Sequence, residues 1–123
     1  MKFRYKKFLR GAFPAIIRPI VPVTLSHKGK ALAHETLVDS GADMCLFDAA
    51  LGEYLGINIE SGATDEVAGV TGKIEPYYRH SITLNIGGYD FKTHVGFKRN
   101  LASSYGILAM AFLDKAASLI FLL

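Results

Sequence analysis

Alternation of apolar and polar positions dominates this chain. Ile82, Leu84 and Ile86 alternate with Ser81, Thr83 and Asn85, the period of two that marks a strand buried on one face. Gly87-Gly88 follows as a two-residue hairpin turn. Phe91, Val95 and Phe97 line one side of the next strand, with Thr93 interrupting that face. Upstream, Ile20 to Ser26 predicts a strand that Pro22 confines to an edge or a strand start. Lys28-Gly29-Lys30 supplies a turn and Ala31 to Val38 the returning strand. Met44 to Phe47 is a short apolar strand. Asp48 predicts the cap of a short helix over Ala49–Tyr54, where Leu51 and Leu55 share a face and Gly56 is the stop. The segment EVAGVTGKIEPYY carries Gly69 and Gly72 at its centre, as a mobile hairpin tip would. Tyr105 to Leu108 predicts a short strand, Ala109 to Ala116 a helix, and Ser118 to Leu123 a final apolar strand. Residues 1–18 read as an arm, so the division is an arm at 1–18 and a mostly β domain at 19–123, with one or two short helices.

Length and composition narrow the class. The chain has 123 residues, half of them hydrophobic, with no Trp and one cysteine, Cys45. That is one domain's worth of chain, too apolar for disorder. A single cysteine excludes an intrachain disulfide and a Cys-rich zinc module. The net charge of +3 hides a segregation: residues 1–34 carry eight bases and no acid, residues 35–66 eight acids and no Lys or Arg. The basic block reads first as a solvated arm, and no motif supports a nucleic-acid or membrane-surface partner. The apolar stretch at 11–23 is broken by Pro14, Arg18, Pro19 and Pro22, and the final apolar run is well short of the ~20 residues a bilayer needs. With one thiol and no export signal, a cytoplasmic location is expected.

Few residues look equipped for chemistry. His27, His34, His80 and His94 have no metal-ligand spacing, so neither metal nor cofactor is expected. Cys45 lies in an apolar strand and reads as a buried small hydrophobe. Gly29-Lys30 and Gly72-Lys73 are followed by Ala31 and Ile74 where a phosphate-binding loop needs Ser or Thr. One constellation remains. The apolar strand Thr36-Leu37-Val38 runs into Asp39-Ser40-Gly41-Ala42-Asp43. Gly41 lets the backbone turn and another chain come close, Ser40 offers a hydroxyl to brace the loop, and Ala42 leaves room above the acid. An aspartic protease needs this layout, together with a second carboxylate close enough to share one proton. The chain contains one such loop, and a symmetric dimer would set that loop against its own copy.

At these residues the sequence resembles the retropepsins, single-domain dimeric aspartic proteases of the retroviral type, and their free-standing bacterial versions. Leu37-Val38-Asp39-Ser40-Gly41-Ala42-Asp43 matches the family's apolar pair and Asp-Thr/Ser-Gly-Ala-Asp. Val67 to Ile74 is similar to its glycine-rich flap, Ser81 to Gly88 to the strand that follows, and Ile107-Leu108-Ala109 to its second aliphatic signature. The resemblance spans about residues 20–123. It implies a closed, roughly six-stranded β domain with a flap hairpin that acts as a homodimeric endopeptidase on peptide or protein substrates. Asp39 would be the catalytic carboxylate, Ser40 would hydrogen-bond across the two-fold axis, and Gly41 and Asp43 would hold the substrate main chain beside Ala42. Ala68, Gly69 and Val70 would close over the peptide. Leu37, Leu46, Val67, Val70 and Ile107 would line side-chain pockets, which favours apolar residues at the scissile bond. Ser118–Leu123 would pair across the dimer.

Two positions depart from the family pattern. Its glycine after the aliphatic pair is Ala109, and the arginine that often follows is Met110. In retroviral members that arginine pairs with the acid at the position of Asp43. These departures motivate a rival reading, a catalytically weak or inactive dimer of the same fold that binds peptides or proteins.

Overall fold

A computed structural model describes residues 4–10, 13–39, 41–68 and 74–109. Among the described residues, eight strands form one sheet: β1 (Arg4–Arg10), β2 (Phe13–His27), β3 (Lys30–Asp39), β4 (Leu46–Asp48), β5 (Ala63–Ala68), β6 (Ile74–Ile86), β7 (Tyr89–Lys98) and β8 (Gly106–Ala109). A short helix, α1 (Ala49–Tyr54), and a 3₁₀ turn (Ile59–Ser61) lie between β4 and β5. The spatial order is β1-β2-β3-β8-β4-β7-β6-β5, and β2 also pairs with β6. That extra pairing joins Thr24, Leu25 and Ser26 to Asn85, Leu84 and Thr83. It closes β2, β3, β8, β4, β7 and β6 into a six-stranded barrel, with β1 and β5 outside the ring. Closure pairs the stretches of β2 and β6 that β1 and β5 leave uncovered and that would otherwise be open to other chains.

The period-two reading is observed directly. Ile82, Leu84 and Ile86 are buried on β6, and Val95 and Phe97 on β7. The β6–β7 turn is Gly87-Gly88, both with positive φ (61° and 89°), which a tight hairpin of this twist demands. On β2, Val21, Val23 and Leu25 are buried while Pro22 between them is exposed. The Phe47 and Phe97 rings sit 6.4 Å apart at the centre of the core. Each such buried side chain contributes roughly 1.5–3 kcal/mol of hydrophobic stabilisation. Thr36 is the buried polar residue among the described ones, and its hydroxyl donates to the Val21 carbonyl at 2.6 Å. The cost of burying that hydroxyl is therefore met within the β2–β3 ladder.

Boundaries moved where pairing overrode local composition. The segment read as an arm supplies β1 and the start of β2, which pair antiparallel from Arg4↔Ile20 to Arg10↔Phe13. Its charge had masked its extended pattern. β4 and β8 each start later than their apolar runs suggest, because their ladders with β7 and β3 begin at Leu46 and Gly106. The helix read at 109–116 and the strand at 118–123 lie, beyond Ala109, outside the described residues.

Asp48 joins two parts of the fold. One carboxylate oxygen caps α1 by accepting from the Ala50 N–H at 2.9 Å, and the other accepts from the Leu101 N–H at 2.9 Å. Arg99 adds a surface brace, donating to Glu60 through Nε and Nη2 and pairing with Glu53 at 2.9 Å. The hydrogen bond from Arg99 holds the Glu60 carboxyl below its ordinary range. Asp48→Ala removes a helix cap and leaves the Leu101 amide without its acceptor. A loss of about 2 kcal/mol is expected in urea unfolding, and an unchanged midpoint would show that the clamp adds nothing.

His34 makes stability depend on pH. Its ring packs edge-on to Phe47, with centroids 6.3 Å apart. Burial lowers its pKa from the ordinary 6.5, against the raising effect of Glu35 and Asp48. As pH falls, the unfolded chain takes up this proton first. The stability tied to neutral His34 is present above 6.5 and is lost as pH drops through the lower, folded-state pKa. The urea midpoint of His34→Gln should fall less than that of wild type between about pH 7.5 and pH 5. Parallel slopes would contradict this assignment.

Candidate active site

The local sequence delivers Asp39 to the end of a half-buried strand. Leu37 and Val38 carry β3 through the barrel wall. β8 runs parallel beside it in register, with Leu37 opposite Ile107, Val38 opposite Leu108 and Asp39 opposite Ala109. The chain then turns. The Gly41 N–H donates to Asp39 Oδ1 at 2.8 Å and the Ala42 N–H to the Asp39 carbonyl at 3.3 Å. One carboxylate oxygen is thus engaged by the loop's own backbone. On the far side, Leu46 of β4 pairs with Ile107, so β8 is held between β3 and β4.

A cleft of about 300 Å³ opens at this point, lined by Asp39, Gly41, Ala42, Asp43, Met44, Leu46, Glu66, Tyr77 and Ile107. Six of the residues singled out in the sequence therefore meet in one cleft: Asp39, Gly41, Ala42, Asp43, Leu46 and Ile107. Leu37 does not line it, although it neighbours Ile107 in the ladder. Val67 and Ala68 end β5, opposite Glu75 and Ile74 of β6, so the segment read as a flap begins as an antiparallel hairpin. Ser40, Gly69, Val70, Met110 and Ser118–Leu123 lie outside the described residues.

Three cleft residues were not anticipated: Met44, Glu66 and Tyr77. Met44 directly follows Asp43, and loop continuity alone could have flagged it. Tyr77 depends on a feature with no sequence signature, the packing around Gly96. A Cβ on Gly96 would lie 2.6 Å from Leu46 Cδ2 and 2.6 Å from Tyr77 Cδ2. Glycine is needed there because the ring and the leucine close over the bare backbone of β7. Burial pushes the Tyr77 phenol pKa up, Asp65 and Asp43 add to the rise, and Arg79 opposes it. Arg79 itself pairs with Asp65 at 2.6 Å.

The remaining candidates have structural surroundings. Cys45 is 3% exposed, and its sulfur accepts from the Ala109 N–H at 3.4 Å. Burial raises its thiol pKa, which suits a core residue and not a nucleophile. Ala109 is 1% exposed and belongs to the core cluster, so the methyl that departs from the family glycine has a place. Asp43 is exposed and forms no ion pair with another described residue. His80 bonds the Ile59 carbonyl at 2.7 Å. Among the described residues no group of three or more His, Cys, Asp or Glu is placed to hold a metal ion. No described helix is long and apolar enough to cross a membrane.

A six-stranded β barrel with an Asp-Ser-Gly-Ala-Asp loop at the end of β3, beside an aliphatic β8, has the architecture of a retropepsin-like aspartic protease. Residues 21–112 match the family model described as aspartyl protease, and the chain belongs to that family. No curated protein matches the sequence. Among solved structures, the EIAV protease complexed with the inhibitor HBY-793 is similar at TM-score 0.61 and 20% identity, over 81% of this chain and 88% of that one. The retroviral protease-like domain of Ddi1 from Leishmania major is similar at TM-score 0.60 and 17% identity, over 81% and 78%. A retropepsin-like aspartic protease from Rickettsia conorii is similar at TM-score 0.54 and 12% identity, over 94% and 83%. At these identities the likeness is one of fold.

Gly96→Ala should push the Leu46 and Tyr77 side chains apart. An extra methyl in a packed site costs typically 1–3 kcal/mol. Urea unfolding should show a loss in that range, and full retention of stability would mean that the cleft wall yields freely.

Proposed function

We propose that the protein is a homodimeric aspartic endopeptidase that cuts peptide bonds between apolar residues. The carrying observation is the placement of Asp39, tethered by the Gly41 amide, in a cleft that also presents Leu46 and Ile107. A cleft on one subunit offers one catalytic carboxylate of this type. A two-fold partner brings the second, and carboxylates about 3 Å apart share a single proton. The ionised member takes a proton from the attacking water, and the protonated member hydrogen-bonds the scissile carbonyl and stabilises the developing oxyanion. The carboxyl that took the water's proton then passes it to the leaving nitrogen as the tetrahedral intermediate collapses and the C–N bond breaks, which returns the dyad to one proton.

The other roles follow from the family resemblance. Ser40 ties the two loops across the axis. Gly41 and Asp43 hold the substrate main chain, and Ala68, Gly69 and Val70 close over it by strand addition. Leu46, Val67, Val70 and Ile107 receive apolar side chains, Leu37 backs them beside Ile107 in the β3–β8 ladder, and Ser118–Leu123 completes the dimer. The basic segment 1–18 acts as an arm on this domain, and the protein works in the cytoplasm. That the EIAV protease holds an inhibitor supports reading this cleft as a ligand site. The core packing of Ala109 accommodates the methyl that motivated the silent, peptide-binding rival.

The test is cleavage of a diverse peptide mixture from about pH 4 to 7, the range in which carboxylate dyads act. Wild type and Asp39→Asn are compared at a concentration where wild type is dimeric. Wild type should cut between apolar residues and Asp39→Asn should lose at least about a thousandfold in rate, as the substitution replaces both carboxylates of the dyad and leaves no proton to share. Equal cutting by both proteins would remove Asp39 from the mechanism. No cutting by a folded wild-type dimer would leave the peptide-binding rival.

A further inference from the structure

We infer that Tyr77 is a substrate-binding residue whose phenol donates a hydrogen bond to a main-chain carbonyl of an extended peptide in the cleft. This rests on the cleft being the peptide site. Asp39, Asp43 and Glu66 are acceptors when ionised, and Ala42, Met44, Leu46 and Ile107 carry no side-chain N–H or O–H. The Gly41 amide is already engaged by Asp39. Apart from the protonated Asp39 of the dyad, Tyr77 is therefore the one described residue lining the cleft with a side-chain donor fit for a neutral acceptor. An extended peptide presents a carbonyl at every residue, and each one buried without a donor weakens binding.

Geometry holds the group in position. The Tyr77 ring is seated over Gly96 against Leu46, where a Cβ on Gly96 would reach it at 2.6 Å. It stands on β6, opposite Asp65 of β5, near the root of the hairpin that leads to the 69–73 connection. Among the described residues its hydroxyl has no hydrogen-bond partner, while Asp65 beside it is already paired with Arg79. A ring fixed by packing and an uncommitted hydroxyl give a pre-oriented donor that loses little freedom on binding. The burial that raises its pKa keeps it protonated, and so a donor, across the working range.

The experiment uses full-length protein and one probe: the octapeptide that wild type cuts best or, if it cuts none, the apolar octapeptide that Asp39→Asn binds most tightly. Binding is measured by calorimetry on Asp39→Asn and on Asp39→Asn/Tyr77→Phe. The phenylalanine keeps the ring against Gly96 and removes only the hydroxyl. Affinity should fall about five- to fiftyfold, the range for a lost donor facing a buried acceptor. Where wild type cleaves the probe, Tyr77→Phe alone should raise KM by a similar factor and leave kcat within about twofold. In a peptide series with each carbonyl replaced in turn by methylene, one position alone should become insensitive to Tyr77→Phe. A purely structural Tyr77 would affect every member alike. Equal affinity of the single and double variants overturns the inference, as does a uniform loss across the series or the absence of any peptide binding. A fall in affinity confined to one carbonyl, with wild type cutting nothing, would sustain it while defeating the proposed catalysis.

Discussion

The parallel pairing of β3 with β8 is the constraint on which the site depends. Neighbours in a parallel ladder cannot be joined by a tight turn. The chain between Asp39 and Gly106 is therefore one long excursion that builds most of the barrel before it returns. On its return, β8 slots between β3 and β4 and sets Ile107 beside both Leu37 and Leu46. Asp39 and Ala109 share a rung at the end of that ladder. Without this pairing the Asp-Ser-Gly-Ala-Asp loop would be an ordinary polar turn on a hairpin, with no aliphatic wall beside it.

That placement explains why core residues matter so close to the loop. Cys45 and Ala109 meet beneath it through an N–H···S contact, both almost fully buried. Phe47 and Phe97 fill the barrel behind them. The Gly106 position must stay bare because a Cβ there would lie 2.6 Å from the Phe47 ring. Loop geometry is thus set by packing on its inner side and, among the described residues, by the bonds from the Gly41 and Ala42 amides to Asp39 on its outer side. A surface loop braced from below in this way can hold a carboxylate in position without a metal or a disulfide.

The legible parts of this protein were those written in short-range pattern. The alternation at Ile82, Leu84 and Ile86, the Gly87-Gly88 turn, and Asp48 as a helix cap are local signals, and each stands where the sequence put it. The cleft was partly legible, since Asp39, Gly41, Ala42 and Asp43 are contiguous and Leu46 follows three residues on. Ile107 required the family pattern, because nothing local ties it to a loop sixty-eight residues earlier. Tyr77 and Gly96 were not legible at all. Their relation is a contact between β6, β7 and β4, and a glycine in a strand reads as a weak position until the neighbour covering it is known. The β1–β2 hairpin was hidden differently: a run of like charges resembles a solvated tail, and its pairing appears only in the register.

The segregation of charge also takes on meaning from the fold. The acid-rich stretch 35–66 holds Asp39, Asp43 and Glu66 at the cleft, and also Asp48, Glu53 and Glu60 on the α1 side. The latter three are neutralised locally, Asp48 by backbone amides and the two glutamates by Arg99. Lys98 and Arg79 likewise serve Glu75 and Asp65 on the hairpin. These cations of the second half are thus used on the flanks, and no Lys or Arg is among the described residues lining the cleft. In the proposed dimer, carboxylates that approach one another across the axis would repel unless one is protonated. With no Lys or Arg among the described residues lining the cleft to offset that repulsion, the energy of bringing two such loops together would be coupled to a proton shared between them. The same feature that would assemble the site would then also set its protonation for catalysis.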